Sequence, residues 1–171
     1  MQQSHIFLQT GGPDIMVGGA GGDTFVFSGK NAKAALRTSI LSSRAKIKDF
    51  NQREGDRFQL DYDNDYTTTG KSERPGSLYN VGTVKAKNLK DAISAVYDDI
   101  IPSNKKLEPL QKGHAAIFQY GSKWYLTVND NRLGYSEKND LVAELGKLTK
   151  SDFASAGDYK PGKLEVIDYF V

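Results

Sequence analysis

Apolar and polar side chains alternate in several short segments of the chain, which predicts a protein built mainly of β-strands. Residues 45–50 and 56–61 both show this alternation, as expected for strands with one buried face, and a polar turn joins them. In residues 115–130, a Gly-containing turn separates two apolar-rich runs, which predicts a hairpin. Residues 140–148 fit another strand or a short helix, and residues 163–171 fit a terminal strand.

One segment has helical periodicity instead. Asn88 is a suitable N-cap residue, Pro102 ends the segment, and the apolar residues between them are spaced by four, three and four positions: Leu89, Ile93, Val96 and Ile100. The expected fold class is therefore α+β and mainly β, with hairpins and one amphipathic helix.

Residues 9–26 form two tandem nine-residue units, QTGGPDIMV and GGAGGDTFV. Aspartate is sixth in both units, at Asp14 and Asp23, and a large apolar residue is eighth, at Met16 and Phe25. This is the pattern of a calcium-binding β-roll, in which the eighth residue faces inward. Glycine lets each turn adopt positive φ and present carbonyls, and calcium requires about 6–8 oxygen ligands. The candidate ligands in the repeats are Gly12, Asp14, Gly18, Ala20 and Asp23.

Successive turns of a β-roll lie on opposite edges, so a complete ion site needs two turns from the same edge. The partner expected for the turn at residues 9–14 is residues 27–32, which lack an aspartate, and the turn at residues 18–23 has no glycine-rich partner. We therefore expect at most one or two calcium ions, with part of the coordination coming from outside the repeats. Residues 6–8 fall in register with the apolar ends of the units, which indicates a degenerate earlier repeat with His5 in place of aspartate.

Composition excludes several function classes. The net charge of +2 argues against a dedicated nucleic-acid-binding protein, and the absence of cysteine excludes disulfides, thiolate zinc sites and cysteine nucleophiles. No apolar run approaches the ~18 residues that span a bilayer. The chain has no nucleophile–base pair or metal-ligand cluster with the spacing of a hydrolase, so a noncatalytic protein is expected.

At this point the sequence resembles a known family. The segment GGAGGDTFVFSG, followed by IKDF at residues 47–50 and GDRFQL at residues 55–60, resembles the end of an RTX calcium-binding array in proteins exported by type I secretion. The resemblance implies that Asp49 completes the last calcium site. The family often has a further aspartate two residues before the isoleucine, where this chain has Ala45.

The rest of the chain is similar to the bluetail domain that closes some cyanobacterial RTX-type secreted proteins, and residues 168–171, DYFV, resemble the uncleaved terminal signal of type I secreted proteases and lipases. Together these resemblances imply a noncatalytic C-terminal module of a secreted or cell-surface protein, which folds on binding Ca²⁺ and has the type I secretion machinery as a partner. Residues 1–60 would be a short β-roll remnant and residues 61–171 an α+β cap, the two forming one cooperative unit. Without the resemblance, DYFV reads as part of a final strand.

A second acidic segment has the spacing of an EF-hand. Asp61, Asp63 and Asp65 occupy the first, third and fifth positions. However, Tyr66 stands where the loop needs glycine, and Ser72 stands where it needs a bidentate glutamate. A solvated loop is therefore expected.

Two other groups of residues leave alternatives open. Asn129, Asp130 and Asp140 fit either a second oxygen site or the polar end of a hairpin. The aromatic group of Trp124, Tyr120 and Tyr125 fits either core packing or a sugar-stacking platform, and the platform would make the chain an extracellular adhesion or glycan-binding module. The histidines, His5 and His114, are expected to have structural or surface roles.

Overall fold

The chain winds between two sheets, as shown by a computed structural model that describes residues 3–9 and 11–171. In the first part of the chain, the strands fall alternately in one sheet and the other, with parallel pairing: β1 (Ile6–Gln9), β2 (Ile15–Met16), β3 (Thr24–Ser28), β4 (Lys46–Ile47) and β5 (Arg57–Asp61). Strands β1, β3 and β5 form a three-stranded sheet, whereas β2 and β4 lie at one end of a seven-stranded sheet. This arrangement agrees with the expected short β-roll.

The strand register explains why aromatic residues recur in this part of the chain. Phe7 pairs with Phe25, and Phe25 pairs with Phe58, so the three rings occupy equivalent positions on neighbouring strands. The centroids of the Phe7 and Phe25 rings are 5.4 Å apart. Phe25 and Met16, the eighth residues of the two units, are both buried, which confirms that these positions face inward.

The second part of the chain completes the seven-stranded sheet and places a helix on it. The sheet order is β10-β6-β7-β8-β9-β4-β2, and the further elements are β6 (Leu78–Thr83), α2 (Leu89–Asp98), β7 (Ala115–Tyr120), β8 (Lys123–Val128), β9 (Leu141–Gly146) and β10 (Gly162–Leu164). A short helix, α1 (Ala32–Leu36), lies between β3 and β4. The expected helix, its Asn88 cap and the hairpin are confirmed, and the segment left open between strand and helix is the strand β9. The fold class is α+β and mainly β, as predicted.

Residues 1–60 and 61–171 share one sheet and one core. Lys46 in β4 pairs with Glu144 in β9, and the Glu144 amide donates to the carbonyl of Ala45 at 2.9 Å. The largest apolar cluster includes residues from both parts, such as Phe25 and Trp124. Because the sheet crosses the proposed boundary, separating the parts would expose apolar surface on both.

The prediction of a terminal strand over residues 163–171 is wrong in its second half. Strand β10 ends at Leu164, and residues Val166–Tyr169 form a short helix, α3. A helical turn directs three apolar side chains of this segment toward the core, because they stand at positions i, i+3 and i+4: Val166, Tyr169 and Phe170. Phe170 then forms a parallel bridge with Phe58 of β5. Over the part of the chain that the structure describes, no helix is both long and apolar enough to cross a membrane.

Candidate metal centre

The two glycine-rich turns lie on opposite edges of the β-roll, as the repeat predicts. Asp14 precedes β2 at one edge and Asp23 precedes β3 at the other. Asp14 is exposed, whereas Asp23 is fully buried. The two carboxylates therefore cannot belong to one ion site, and the aspartates at the two edges differ in burial.

Asp23 is a buried carboxylate with one unpartnered oxygen. Its Oδ1 accepts the backbone N–H of His5 at 2.8 Å and lies 3.1 Å from the His5 Nδ1. Its Oδ2 is buried and has no hydrogen-bond partner among the described residues. A Cβ atom at Gly18 would lie 2.5 Å from this Oδ2, so any other residue at that position would force the Asp23 carboxylate to move. The degenerate repeat expected before the first unit thus places His5 directly beside Asp23 in the strand register.

Asp56 is the functional candidate that sequence reasoning missed. Thr24 pairs with Arg57, so Asp56 lies beside Asp23 in the same register. The Asp56 carboxylate accepts the backbone N–H groups of Asp23 and Asn51, both at 2.8 Å. Burial raises the pKa of Asp56 to about 6, and the negative charges of Asp23 and Asp49 act in the same direction. The signal in the sequence was Gly55-Asp56 directly before a strand, which repeats the Gly22-Asp23 pair.

The turn at residues 18–23 packs against a turn that contains a single glycine, Gly55. A Cβ atom at Gly22 would lie 3.1 Å from the carbonyl oxygen of Gly55, so the two turns pack backbone against backbone. The neighbour on the same edge lies 33 residues further along the chain, as the pairing of Thr24 with Arg57 shows, whereas two nine-residue units would place it 18 residues further on. The segment between β3 and β4, which contains α1, accounts for the additional residues.

Asp49, which the family resemblance implies as a calcium ligand, lies against the turn at residues 18–23. Its Oδ1 accepts the N–H of Gly18 at 2.9 Å, and its Oδ2 accepts the N–H of Gly19 at 2.8 Å. Glu54 also borders the turn, since its Oε2 lies 3.4 Å from the Gly21 nitrogen. The carbonyls of Gly18 and Ala20 accept no hydrogen bond from the described residues.

At the other edge, the position beside Asp14 has no carboxylate. Ile15 pairs with Lys46, which places Asp14 beside Ala45, and the Lys46 amide donates to the Asp14 carbonyl at 2.8 Å. Residues 27–32, the expected partner of this turn, instead contain the end of β3 and the start of α1. That expectation was wrong because α1 lengthens the connection between β3 and β4. The Gly12 carbonyl already accepts the N–H of Asp14 and the side-chain amide of Gln9.

A third acidic group lies at the end of β5. Oxygens of Asp61, Asp63 and Glu73 lie within 4.8 Å of one another, which makes this the one such acidic trio among the described residues. Asp61 is fully buried, so the expectation of a solvated loop is wrong for this residue, although Asp63 and Asp65 are exposed.

The hydrogen bonds of this trio already account for its geometry. The Asp61 Oδ1 accepts the N–H groups of Asp63 and Asp65, and its Oδ2 accepts the Ser28 hydroxyl. Glu73 accepts the N–H groups of Tyr62 and Gly70. These contacts hold the loop after β5, and the carboxylates need no cation to explain their positions.

The contacts of Asn129, Asp130 and Asp140 are those of a hydrogen-bonded hairpin end. Asp140 accepts the N–H groups of Asp130 and Ser136. The Asn129 amide donates to the carbonyls of Leu110 and Gln111.

Trp124 cannot serve as a sugar-stacking platform in this fold. Its side chain is 2% exposed, and its ring meets the ring of Phe153 edge-on with the centroids 5.2 Å apart. Tyr125 is also buried. The glycan-binding alternative therefore loses two of the three aromatic residues on which it was based, and the third, Tyr120, is half-buried. The other histidine, His114, is partly buried, and its pKa is lowered by burial and by the nearby Lys163.

No protein-family model, no curated protein and no solved structure matches the chain.

Proposed function

We propose that the chain is a noncatalytic calcium-binding module of a secreted or cell-surface protein, with its ion site at the turn of residues 18–23. The observation that carries this proposal is the buried Asp23 carboxylate with its unpartnered Oδ2. A buried carboxylate without full compensation is costly, and a bound cation would offset that cost. A hard cation fits the oxygen-rich surroundings better than a transition metal would.

The neighbouring groups are of the type that calcium requires. Candidate ligands are the carboxylates of Asp23 and Asp49 and the carbonyls of Gly18 and Ala20, since these carbonyls are not used by other described residues. A carboxylate oxygen has two lone pairs, so each oxygen of Asp49 can accept one further interaction beyond its hydrogen bond to the turn. The Asp56 carboxylate accepts the backbone N–H of Asp23 and adds a third carboxylate beside the site. Calcium would supply the positive charge that these carboxylates lack.

Gly12 and Asp14 are not part of this proposed site. They lie at the other edge of the roll, where Ala45 occupies the position of a second carboxylate. The proposal therefore involves one principal site.

Folding and ion binding would be coupled in this arrangement. Asp23, Asp49 and Asp56 repel one another when all three are ionised, and the glycine-rich turn loses much conformational entropy on ordering. Ion binding to the folded state alone adds its free energy to folding.

The strand pairing supports a capping role. Among the described residues, β1 pairs only with β3, and β2 pairs only with β4, so the first coil of the roll has open edges. Exposed apolar side chains lie on this coil: Ile6, Leu8, Ile15 and Val17. At the other end, β4 is covered by β9 and β5 by the bridge from Phe170. A further coil could therefore pair at the first end but not at the last.

The proposed secretion partner would have to bind the unfolded chain. Tyr169 and Phe170, in the terminal segment DYFV, are buried in the core. A secretion machinery that recognises these side chains would therefore act before the module folds, which agrees with folding that awaits calcium outside the cell.

Calcium dependence is tested with the full chain after treatment with a chelator. We expect Ca²⁺ at ~100 times its dissociation constant to add about 2.7 kcal/mol to the free energy of unfolding, which raises the melting temperature by roughly 5–10 °C. Mg²⁺ should have a smaller effect. Circular dichroism follows melting, and calorimetric titration measures binding.

Asp23→Asn should abolish the calcium-dependent shift, whereas the matched control Asp98→Asn, at an exposed position of α2, should retain it. If Asp23→Asn does not fold, Asp49→Asn provides the same comparison. Equal melting temperatures of the original chain in chelator and in Ca²⁺ would refute the proposal.

A further inference from the structure

A cavity of about 450 Å³ has no residue of the two glycine-rich turns in its lining. Its walls come from α1, from the loop before β6 and from the segment that follows β8. This volume falls in the range of ~300–1,000 Å³ that is typical of small-molecule sites.

The charged groups in its wall are mainly positive. Lys33, Arg74 and Arg132 line the cavity, whereas Asp130 is its one acidic lining residue. None of the three basic side chains has a carboxylate within 4.0 Å among the described residues. The Asp130 Oδ1 already accepts the backbone N–H of Arg132. The cavity is therefore suited to an anion.

Two carboxylates adjacent to lining residues do not themselves line the cavity. Glu73 precedes Arg74 in sequence but is not a lining residue, and its oxygens accept the N–H groups of Tyr62 and Gly70. Asp140 is likewise held by the N–H groups of Asp130 and Ser136.

Two buried polar atoms of the lining residues have no partner among the described residues. One is the donor Nε of Arg74, and the other is the acceptor Oδ1 of Asn129, a residue that is 1% exposed. The Asn129 amide orientation follows from its bonds, since Nδ2 donates to the carbonyls of Leu110 at 2.9 Å and Gln111 at 3.1 Å. An unpartnered donor and an unpartnered acceptor thus belong to the same cavity wall.

We propose that this cavity binds a small acidic polyol, meaning a hydroxyl-bearing carboxylate or phosphate ester such as a hexuronate or a sugar phosphate. The anionic group would accept hydrogen bonds from Arg74 and Arg132, with Lys33 adding charge. A ligand hydroxyl would donate to the Asn129 Oδ1, which an anion without an O–H group cannot do. The buried Leu36 and the ring of Tyr62 provide an apolar part of the wall. This site is independent of the proposed calcium site.

The test is calorimetric titration of the full chain with glucuronate and with glucose 6-phosphate, with glucose and inorganic phosphate as comparison ligands. We expect saturable binding of at least one acidic sugar and none of glucose at the same concentrations. Inorganic phosphate should bind more weakly than glucose 6-phosphate. Binding should be the same in Ca²⁺ and in chelator wherever the chain is folded, which separates this result from the calcium proposal.

Arg74→Gln and Arg132→Gln should each weaken acidic-sugar binding by roughly tenfold or more. Arg37→Gln is the matched control, because Arg37 is exposed and does not line the cavity, and it should change affinity by less than about twofold. If the arginine variants fold poorly, Lys33→Gln, at an exposed position, provides a further lining variant whose acidic-sugar affinity can be measured. The proposal is overturned if neither acidic sugar binds, if glucose binds equally well, if inorganic phosphate equals glucose 6-phosphate, or if the lining variants behave like Arg37→Gln.

Discussion

At the scale of single residues, Asp140 shows how a buried acid is held at the end of a hairpin. Its carboxylate accepts the N–H groups of Asp130 and Ser136, yet burial raises its pKa to about 6. The charge of Asp130 raises this pKa further, and Tyr97 and Tyr135 are the other titratable groups that face it. The ordinary value of 3.8 applies to the unfolded chain.

This shift predicts a loss of stability as pH rises. Between pH 4 and 6 the folded state binds more protons at Asp140 than the unfolded state does, so the free energy of unfolding falls with increasing pH and the loss is complete above the folded pKa. The raised pKa of Asp56 also makes the free energy of unfolding fall as pH increases. Urea unfolding of the calcium-free chain at pH 5 and pH 7 measures the slope, and Asp140→Asn should make it shallower. An unchanged slope in this variant would show that Asp140 titrates normally in the folded state.

At the scale of elements, α2 shows how a local signal starts a helix. Asn88 has an extended backbone, and its Oδ1 accepts the N–H of Asp91 at 2.9 Å. This bond satisfies one of the amides that the first helical turn leaves without a partner. The apolar residues Ile93 and Val96 are then buried against the sheet.

Removing the cap should destabilise the chain measurably. We expect Asn88→Ala to cost about 1 kcal/mol, or roughly 2–4 °C in melting temperature, because the amide of Asp91 loses its acceptor. Asn88→Ser retains an acceptor and should recover most of the loss. Chemical denaturation of the two variants provides the comparison, and equal stabilities would argue against capping as the cause.

At the scale of the whole molecule, the terminal residues tie the cap to the β-roll. Phe170 is buried, its ring centroid lies 5.4 Å from that of Phe58, and the amide of Val171 donates to the Phe58 carbonyl at 3.0 Å. Because β4 also pairs with β9, the roll is joined to the cap along both of its sheets. The two parts should therefore unfold together.

Phe170→Ala tests this connection. The substitution should cost roughly 3–5 kcal/mol because it removes a buried ring, whereas Ile167→Ala, at a position 60% exposed in the preceding helix α3, should change stability by less than about 0.5 kcal/mol. Trp124 fluorescence reports on the cap and far-ultraviolet circular dichroism on the whole chain. Their transitions should coincide in the original protein, and two separate transitions would show that the parts are independent domains.

Local features of the fold were predictable because they depend on side chains close together in sequence. Short-range periodicity predicts three of these features: the apolar stripe of α2, the hairpin of β7 and β8, and the inward positions of Met16 and Phe25. The helix at residues 166–169 was missed because an apolar run this short fits a strand equally well. The candidate site was predictable only in part: Asp23 came from the repeat and Asp49 from the family resemblance, whereas Asp56 was not assigned.

The sequence by itself determined which residues form turns, which side chains face inward and which edge of the roll each aspartate occupies, because a nine-residue repeat specifies these relations internally. Only the tertiary structure decided which turns become neighbours. The length of the α1 segment sets the distance along the chain between paired strands, and no local pattern encodes that pairing. For this physical reason Asp23 lies beside Asp56, 33 residues further along the chain, while Asp14 lies beside Ala45, which has no carboxylate.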